Sequence, residues 1–173
     1  MVTGVQTCAL PIWLEGRRDA LDDYSPAGHE AADDLRRSTL RELDGVPAAD
    51  EVDRVTVAVM RERLGVEQEL ADAGEELRDL NVIESPVQQV RDLFDLMPTA
   101  STEDWEAVAS ALRDVPRALE GHLASLAAAR RRGLHPPARQ VRAVIGQCRD
   151  QAEATSSSFT TLVAGAEIGR AHV

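Results

Sequence analysis

Twice in this chain a serine-proline pair stands at the head of an apolar series with helical period: Ser25-Pro26 and Ser85-Pro86. A serine hydroxyl accepts a hydrogen bond from an otherwise orphaned amide at a helix start. Proline suits the first helical position, where its missing N–H is not needed. These pairs therefore fix where two helices begin, and similar punctuation recurs along the chain. Gly45 and Pro47 close the first helix near Leu43, and Asp50 caps the next. Met97-Pro98 stops the Ser85 helix, and Ser101 or Thr102 caps its successor. Pro116 is expected to start a further helix ending at Gly133, Pro136-Pro137 another, and "ATSSSFTTLVAGA" a last one.

The apolar residues agree with this division. After Asp50, Val52, Val59, Val66, Ala73 and Leu80 recur every seven residues, with Leu70 and Leu77 beside them and Arg63 and Gly65 interrupting. That series predicts the longest helix of the chain, its seam turned into the core. Val87, Val90, Leu93, Phe94 and Met97 line the Ser85 helix. Trp105, Val108 and Leu112 line the one after, whose early acids Glu103 and Asp104 suit the positive end of the helix dipole. Leu119, Leu123 and Leu126 follow, then Val141, Val144, Ile145 and Cys148. No stretch alternates apolar and polar residues between hairpin turns. With aromatics at only 3%, Leu, Val and Ala must supply the packing, which favours helices. The expected fold class is all-α, an irregular bundle of six or seven helices forming a partial domain of a larger helical protein.

The formal charge of −11 argues against nucleic acid as a partner. No window approaches the roughly 18 apolar residues of a membrane span. Two cysteines, Cys8 and Cys148, are too few for a disulfide framework, so a reducing cytoplasm is the expected location. All 19 basic residues are arginine, as in proteins of GC-rich genomes.

The ends are written differently from the interior. "VTGVQTCALPI" at residues 2–12 and "IGRAHV" at 168–173 can be back-translated into one DNA string and its reverse complement, and that string resembles a short-read sequencing adapter. Residues 1–13 and 167–173 are accordingly expected to be adapter-derived and disordered. On this reading Cys8 and His172 have no functional part, and residues 14–166 are an interior piece of a longer frame.

Candidate chemistry within that piece is sparse. "HEAAD" at His29–Asp33 echoes the His-Glu-x-x-His helix of zinc peptidases, in which residues four apart share a face and reach one metal. Here Asp33 replaces the second histidine, no third ligand is evident, and acids in a first helical turn are explained by the dipole. His122 and His135 have no ligand-type neighbour in sequence, so each is expected to be a surface or hydrogen-bonded side chain. Cys148 falls on an apolar face, where a thiol acts as a small hydrophobe. Arg130–Arg132 end a helix, where cations offset the carbonyl dipole. No phosphate-binding glycine loop, serine elbow or cysteine pair at metal spacing occurs. The expectation is no catalytic, cofactor-binding or metal-binding residue.

Taken together, "DDYSPAGHEAADDLRRSTLRELD", "NVIESPVQQVRDLFDLMP" followed by "TEDW", and "RRGLHPPARQV" resemble the amino-terminal part of a bacterial family known as domain of unknown function 885. The resemblance covers nearly all of residues 14–166. It implies a longer, mostly helical protein similar to zinc metallopeptidases, with a His-Glu-x-x-Pro-Gly-His motif in its carboxy-terminal half. No segment here matches that motif. The resemblance thus implies a non-catalytic scaffold whose partner is the carboxy-terminal half of its own parent, with zinc a cofactor of that parent only. The alternative is a self-contained helical interaction or regulatory protein without enzymatic activity.

Overall fold

A computed structural model describes the backbone of residues 20–170 and the side chains of residues 20–166. Six α-helices occur in chain order: α1 (Pro26–Asp44), α2 (Glu51–Ala73), α3 (Pro86–Leu96), α4 (Thr102–Arg131), α5 (Ala138–Ala152) and α6 (Ser158–Arg170), with a 3-10 turn at Glu76–Arg78. Among the described residues there is no strand. The expected tails fall outside the described residues, apart from the backbone of 167–170, which continues α6.

The helix starts follow the sequence signals. The Ser25 hydroxyl accepts the Gly28 amide at 3.2 Å, and Asp50 caps α2 by accepting the Asp53 amide at 2.8 Å. At Ser85 the cap is reciprocal, because the Gln88 side-chain carbonyl accepts the Ser85 amide at 3.0 Å. Gly74 and Gly133 take left-handed conformations at the ends of α2 and α4, which only glycine adopts without strain. α2 therefore stops at Ala73, and Leu77 and Leu80 of the expected seam lie beyond it.

Pro116 does not begin a helix. It lies inside α4, which at 30 residues is longer than α2 at 23. An internal proline removes one helical hydrogen bond and costs on the order of 3 kcal/mol. Burial on both sides of it offsets that cost: Val108 and Ala111 are buried before it, and Ala118, Ser125 and Ala129 after it. Arg117 also pairs with Asp114 at 2.5 Å across the proline turn, holding the Asp114 carboxyl below its usual pKa.

The described residues belong to two compact units, with α4 contributing its first part to one and its last part to the other. Of the described residues, the first unit comprises Ala20–Asp22, then Leu80–Leu119 and those from Pro136 to Arg170. Its core is Phe94, Met97, Val108 and Ala111, with Leu93, Trp105, Leu112, Phe159 and Leu162 packed around them. Phe94 and Phe159 meet edge to face, ring centres 5.4 Å apart at 86°, the favoured aromatic geometry. A polar chain joins α3 to α5: Gln88 donates to the Gln147 side-chain carbonyl at 2.6 Å, and Gln147 donates to the Val82 carbonyl at 3.2 Å.

The second unit comprises Asp23–Asp79 and Glu120–His135. Its buried residues include Tyr24, Leu43 and Ala129 but also His122 and Ser125, so its interior is thin and partly polar. α2 has no buried residue at all. The half-buried positions Val57, Met60, Leu64, Gln68 and Ala71 form the stripe of α2 at helical spacing that is least exposed. The expected seam lies on the other side: Val52, Val59, Val66 and Leu70 are 46–70% exposed, and Val55, which is not among the seam residues, is exposed beside them. The inward-facing seam is thereby corrected. α2 carries two apolar stripes on different faces, and the less exposed one goes with a set of polar cross-links to α1.

Candidate functional site

Those cross-links centre on Arg36 in the middle of α1. Its side chain is only 10% exposed, and the guanidinium reaches Asp33 at 3.3 Å, Glu67 of α2 at 3.5 Å and Glu76 of the 3-10 turn at 2.8 Å. Asp33 is shared further, pairing with Arg37 at 2.9 Å and accepting from Gln68 at 2.7 Å. Arg37 bridges to Asp72 at 2.9 Å, and Arg61 donates to the Leu43 carbonyl at 2.7 Å, satisfying a helix-end acceptor. A planar guanidinium with five donors can hold several carboxylates at once, as a lysine ammonium cannot. The acid-rich turns thus become interhelical ties.

This arrangement decides the fate of "HEAAD". Asp33 is engaged by two arginines and a glutamine, whereas His29 turns its Nδ1 toward Glu76 Oε2, 3.8 Å away. The two residues that would have shared a metal are directed to different partners. Among the described residues no three His, Cys, Asp or Glu side chains converge on a common point suited to a metal ion.

His122 differs from expectation. It is 2% exposed, and neither ring nitrogen has a hydrogen-bond partner. Burial, together with the neighbouring His29 imidazole, pushes its pKa down to about 4. It is neither a surface residue nor a hydrogen-bonded one. α4 meets the start of α1 at very close range: a Cβ on Gly121 would lie 3.0 Å from the Ser25 amide nitrogen, and the Ser125 hydroxyl donates to the Tyr24 carbonyl at 2.7 Å. His122 lies between those two contacts in sequence, and His29 follows Ser25 by one helical turn, its amide donating to the Ser25 carbonyl at 3.0 Å. The His29 Nε2 is likewise buried without a partner. The two residues are 93 positions apart, so no local spacing signalled the pair.

Cys148 is also corrected: its thiol is free and exposed. It borders a groove of roughly 280 Å³ on the first unit, lined by Val87, Val90, Leu119, Gln147 and Phe159 among others. α5 is a short helix of 15 residues whose one buried side chain, Val144, lies a turn before Cys148 on the same face. His135 lies in the loop after α4, where its carbonyl accepts from Arg78 at 3.3 Å. Arg130 and Arg131 form the last turn of α4, as the dipole argument requires, and Gly133 closes it with Leu134 donating to the Ala129 carbonyl at 3.0 Å.

No helix among the described residues is long and apolar enough to cross a membrane. A family model described as "Bacterial protein of unknown function" matches residues 9–172, nearly the whole chain. No curated protein matches it.

Proposed function

Because this chain belongs to the DUF885 family of bacterial proteins, we propose that it is a non-catalytic helical scaffold segment of a larger metallopeptidase-like hydrolase. Its partner is the carboxy-terminal half of the same parent protein, which carries the catalytic zinc motif. The observation that supports this reading is the outer face of α2. Five large aliphatic side chains, Val52, Val55, Val59, Val66 and Leu70, recur on one side of a 23-residue helix and remain exposed. Isolated exposed aliphatics are ordinary, but an aligned series along a whole helix marks a surface made to be covered. A cover of further helices is the simplest complement to such a stripe. A self-contained interaction protein with a fully covered bundle would not leave this face open.

The chain's own residues, on this reading, bind and position rather than react. Arg36 and its carboxylates lock α2 onto α1 and so fix the direction in which the stripe points. The test is to amplify the reading frame from source DNA, extend it beyond Ala166, and compare hydrogen exchange of α2 in the long and short proteins. The expected result is a His-Glu-x-x-Pro-Gly-His segment downstream and slower exchange along residues 51–73 in the long protein. A frame that stops at Val173, or α2 exchange that is the same in both, overturns the proposal.

A further inference from the structure

The outer stripe of α2 reads the same from either end. Val59, Val55 and Val52 run outward from its middle toward the amino end, and Val66, Leu70 and Ala73 toward the other, with the same spacing on both sides. All six are exposed, and at 100° per residue they share one side of the helix within an arc of about 60°. Glu62 and Arg63 stand in the middle, at opposite edges of the stripe, and both are exposed. Adjacent residues on a helix do not face each other, and neither of these two takes part in an ion pair among the described residues. The flanking charge is lopsided. Up to Arg63, the acids Glu51, Asp53 and Glu62 are balanced by Arg54, Arg61 and Arg63, whereas Glu67, Glu69 and Asp72 beyond it have no basic residue among them.

We propose that the outer face of α2 pairs with a second copy of this chain, the two helices antiparallel about a twofold axis between Glu62 and Arg63. This rests on the reading that the face is made to be covered; in the 173-residue chain a second copy supplies the cover. Reversal sets Val59 level with Val66 of the second copy, Val55 with Leu70 and Val52 with Ala73, so aliphatic meets aliphatic along the whole stripe. Two carboxylates and two guanidiniums gather at the centre as a neutral cluster, which gives Glu62 and Arg63 the counter-charges they lack in one copy. A parallel pair would also align the aliphatics, but it would set the acidic end of each α2 against itself. The antiparallel pair sets that end beside the balanced half, and the positive end of each helix dipole beside the negative end of the other.

The experiment is sedimentation equilibrium of the full chain from about 5 to about 500 μM, in about 0.15 M salt to screen the repulsion of its −11 charge. One pair of helices with small side chains makes a small, transient interface. A monomer is therefore expected at the low end, where melts and hydrogen exchange are run, and a dimer at the high end. Glu62→Arg and Arg63→Glu, both at exposed positions and so compatible with folding, are each expected to weaken the dimer by about 10-fold or more, because four like charges then meet. Mixed one to one, the two variants are expected to pair with each other. Direction is read by disulfide trapping in a Cys8→Ser, Cys148→Ser background. Val55→Cys mixed with Leu70→Cys is expected to cross-link, and Val55→Cys alone is not, its two copies lying about 22 Å apart along the axis. A chain still monomeric at about 500 μM overturns the proposal. So do a dimer indifferent to both charge substitutions, variants that stay apart when mixed, or Val55→Cys linked to itself. The covering half of the parent fails on different results, a frame that stops at Val173 or unchanged α2 exchange in the long protein.

Discussion

The buried hydroxyl of Ser125 on α4 donates a 2.7 Å hydrogen bond to the Tyr24 carbonyl, 101 residues earlier in the chain. Tyr24 immediately precedes the cap residue of α1, so this bond ties the second half of α4 to the point where α1 begins. Ser125 has no measurable exposure, and its removal leaves a carbonyl without that donor. Ser125→Ala is expected to destabilise the chain by about 1–2 kcal/mol in urea titrations. An unchanged midpoint would show that the bond contributes nothing net.

His122 makes the second unit sensitive to acid. Its folded pKa is about 4, below the ordinary 6.5, so the unfolded chain takes up the proton first. The stabilisation is complete above pH 6.5 and is lost as pH falls toward 4. The slope is about 1.4 kcal/mol per pH unit, roughly 3 kcal/mol in all. Urea midpoints of the wild type and His122→Leu, compared at pH 7.5, 5.5 and 4.5, check this. The expected outcome is that the wild type loses markedly more stability than the variant over that range.

Two helical glycines are expected to respond oppositely to alanine. A Cβ on Gly28 would fall 1.9 Å from the Asp23 carbonyl oxygen, a backbone atom that cannot step aside. Gly28→Ala should therefore cost about 2 kcal/mol or more despite its better helix propensity. Gly146, in the interior of α5, has nothing within 4 Å of such a carbon. Gly146→Ala should raise stability by about 0.5–1 kcal/mol. Thermal melts of the two variants decide both signs.

Arg36 is expected to matter more than any single exposed arginine. Arg36→Leu leaves Asp33 and Glu76, 20% and 29% exposed, without their shared cation. Loss of about 2 kcal/mol or more is expected, against no more than about 0.5 kcal/mol for Arg54→Leu, whose pair with Glu51 is open to solvent. Equal losses would mean that the network acts as separate surface pairs.

The α2 face gives a prediction that depends on what covers it. In the short chain Val59→Asp is expected to change stability by no more than about 0.5 kcal/mol, because Val59 is already half exposed. In the extended frame the same substitution should cost about 2 kcal/mol or more, since it buries an unpaired carboxylate. Melting both proteins with and without the substitution separates the two cases.

The sequence by itself determined where most helices begin and end, because those signals act within a few residues. Ser25 and Asp50 accept amides three positions on, Ser85 and Gln88 cap each other, and Gly74 and Gly133 turn left-handed where the helices stop. Local grammar also settled the all-helical class. It failed at Pro116, where the penalty of a missing amide is local but the burial that outweighs it comes from other helices. It failed again on α2, whose two apolar stripes are equally good helical patterns. Which stripe turned inward went with Arg36, Arg37, Gln68 and Arg61, side chains whose partners lie 18 to 40 residues away in sequence. The burial of His122 and of the His29 Nε2 belongs wholly to tertiary structure. Each histidine alone is an unremarkable helical residue, and their ring nitrogens are buried where α4 closes on the start of α1 at Gly121 and Ser125.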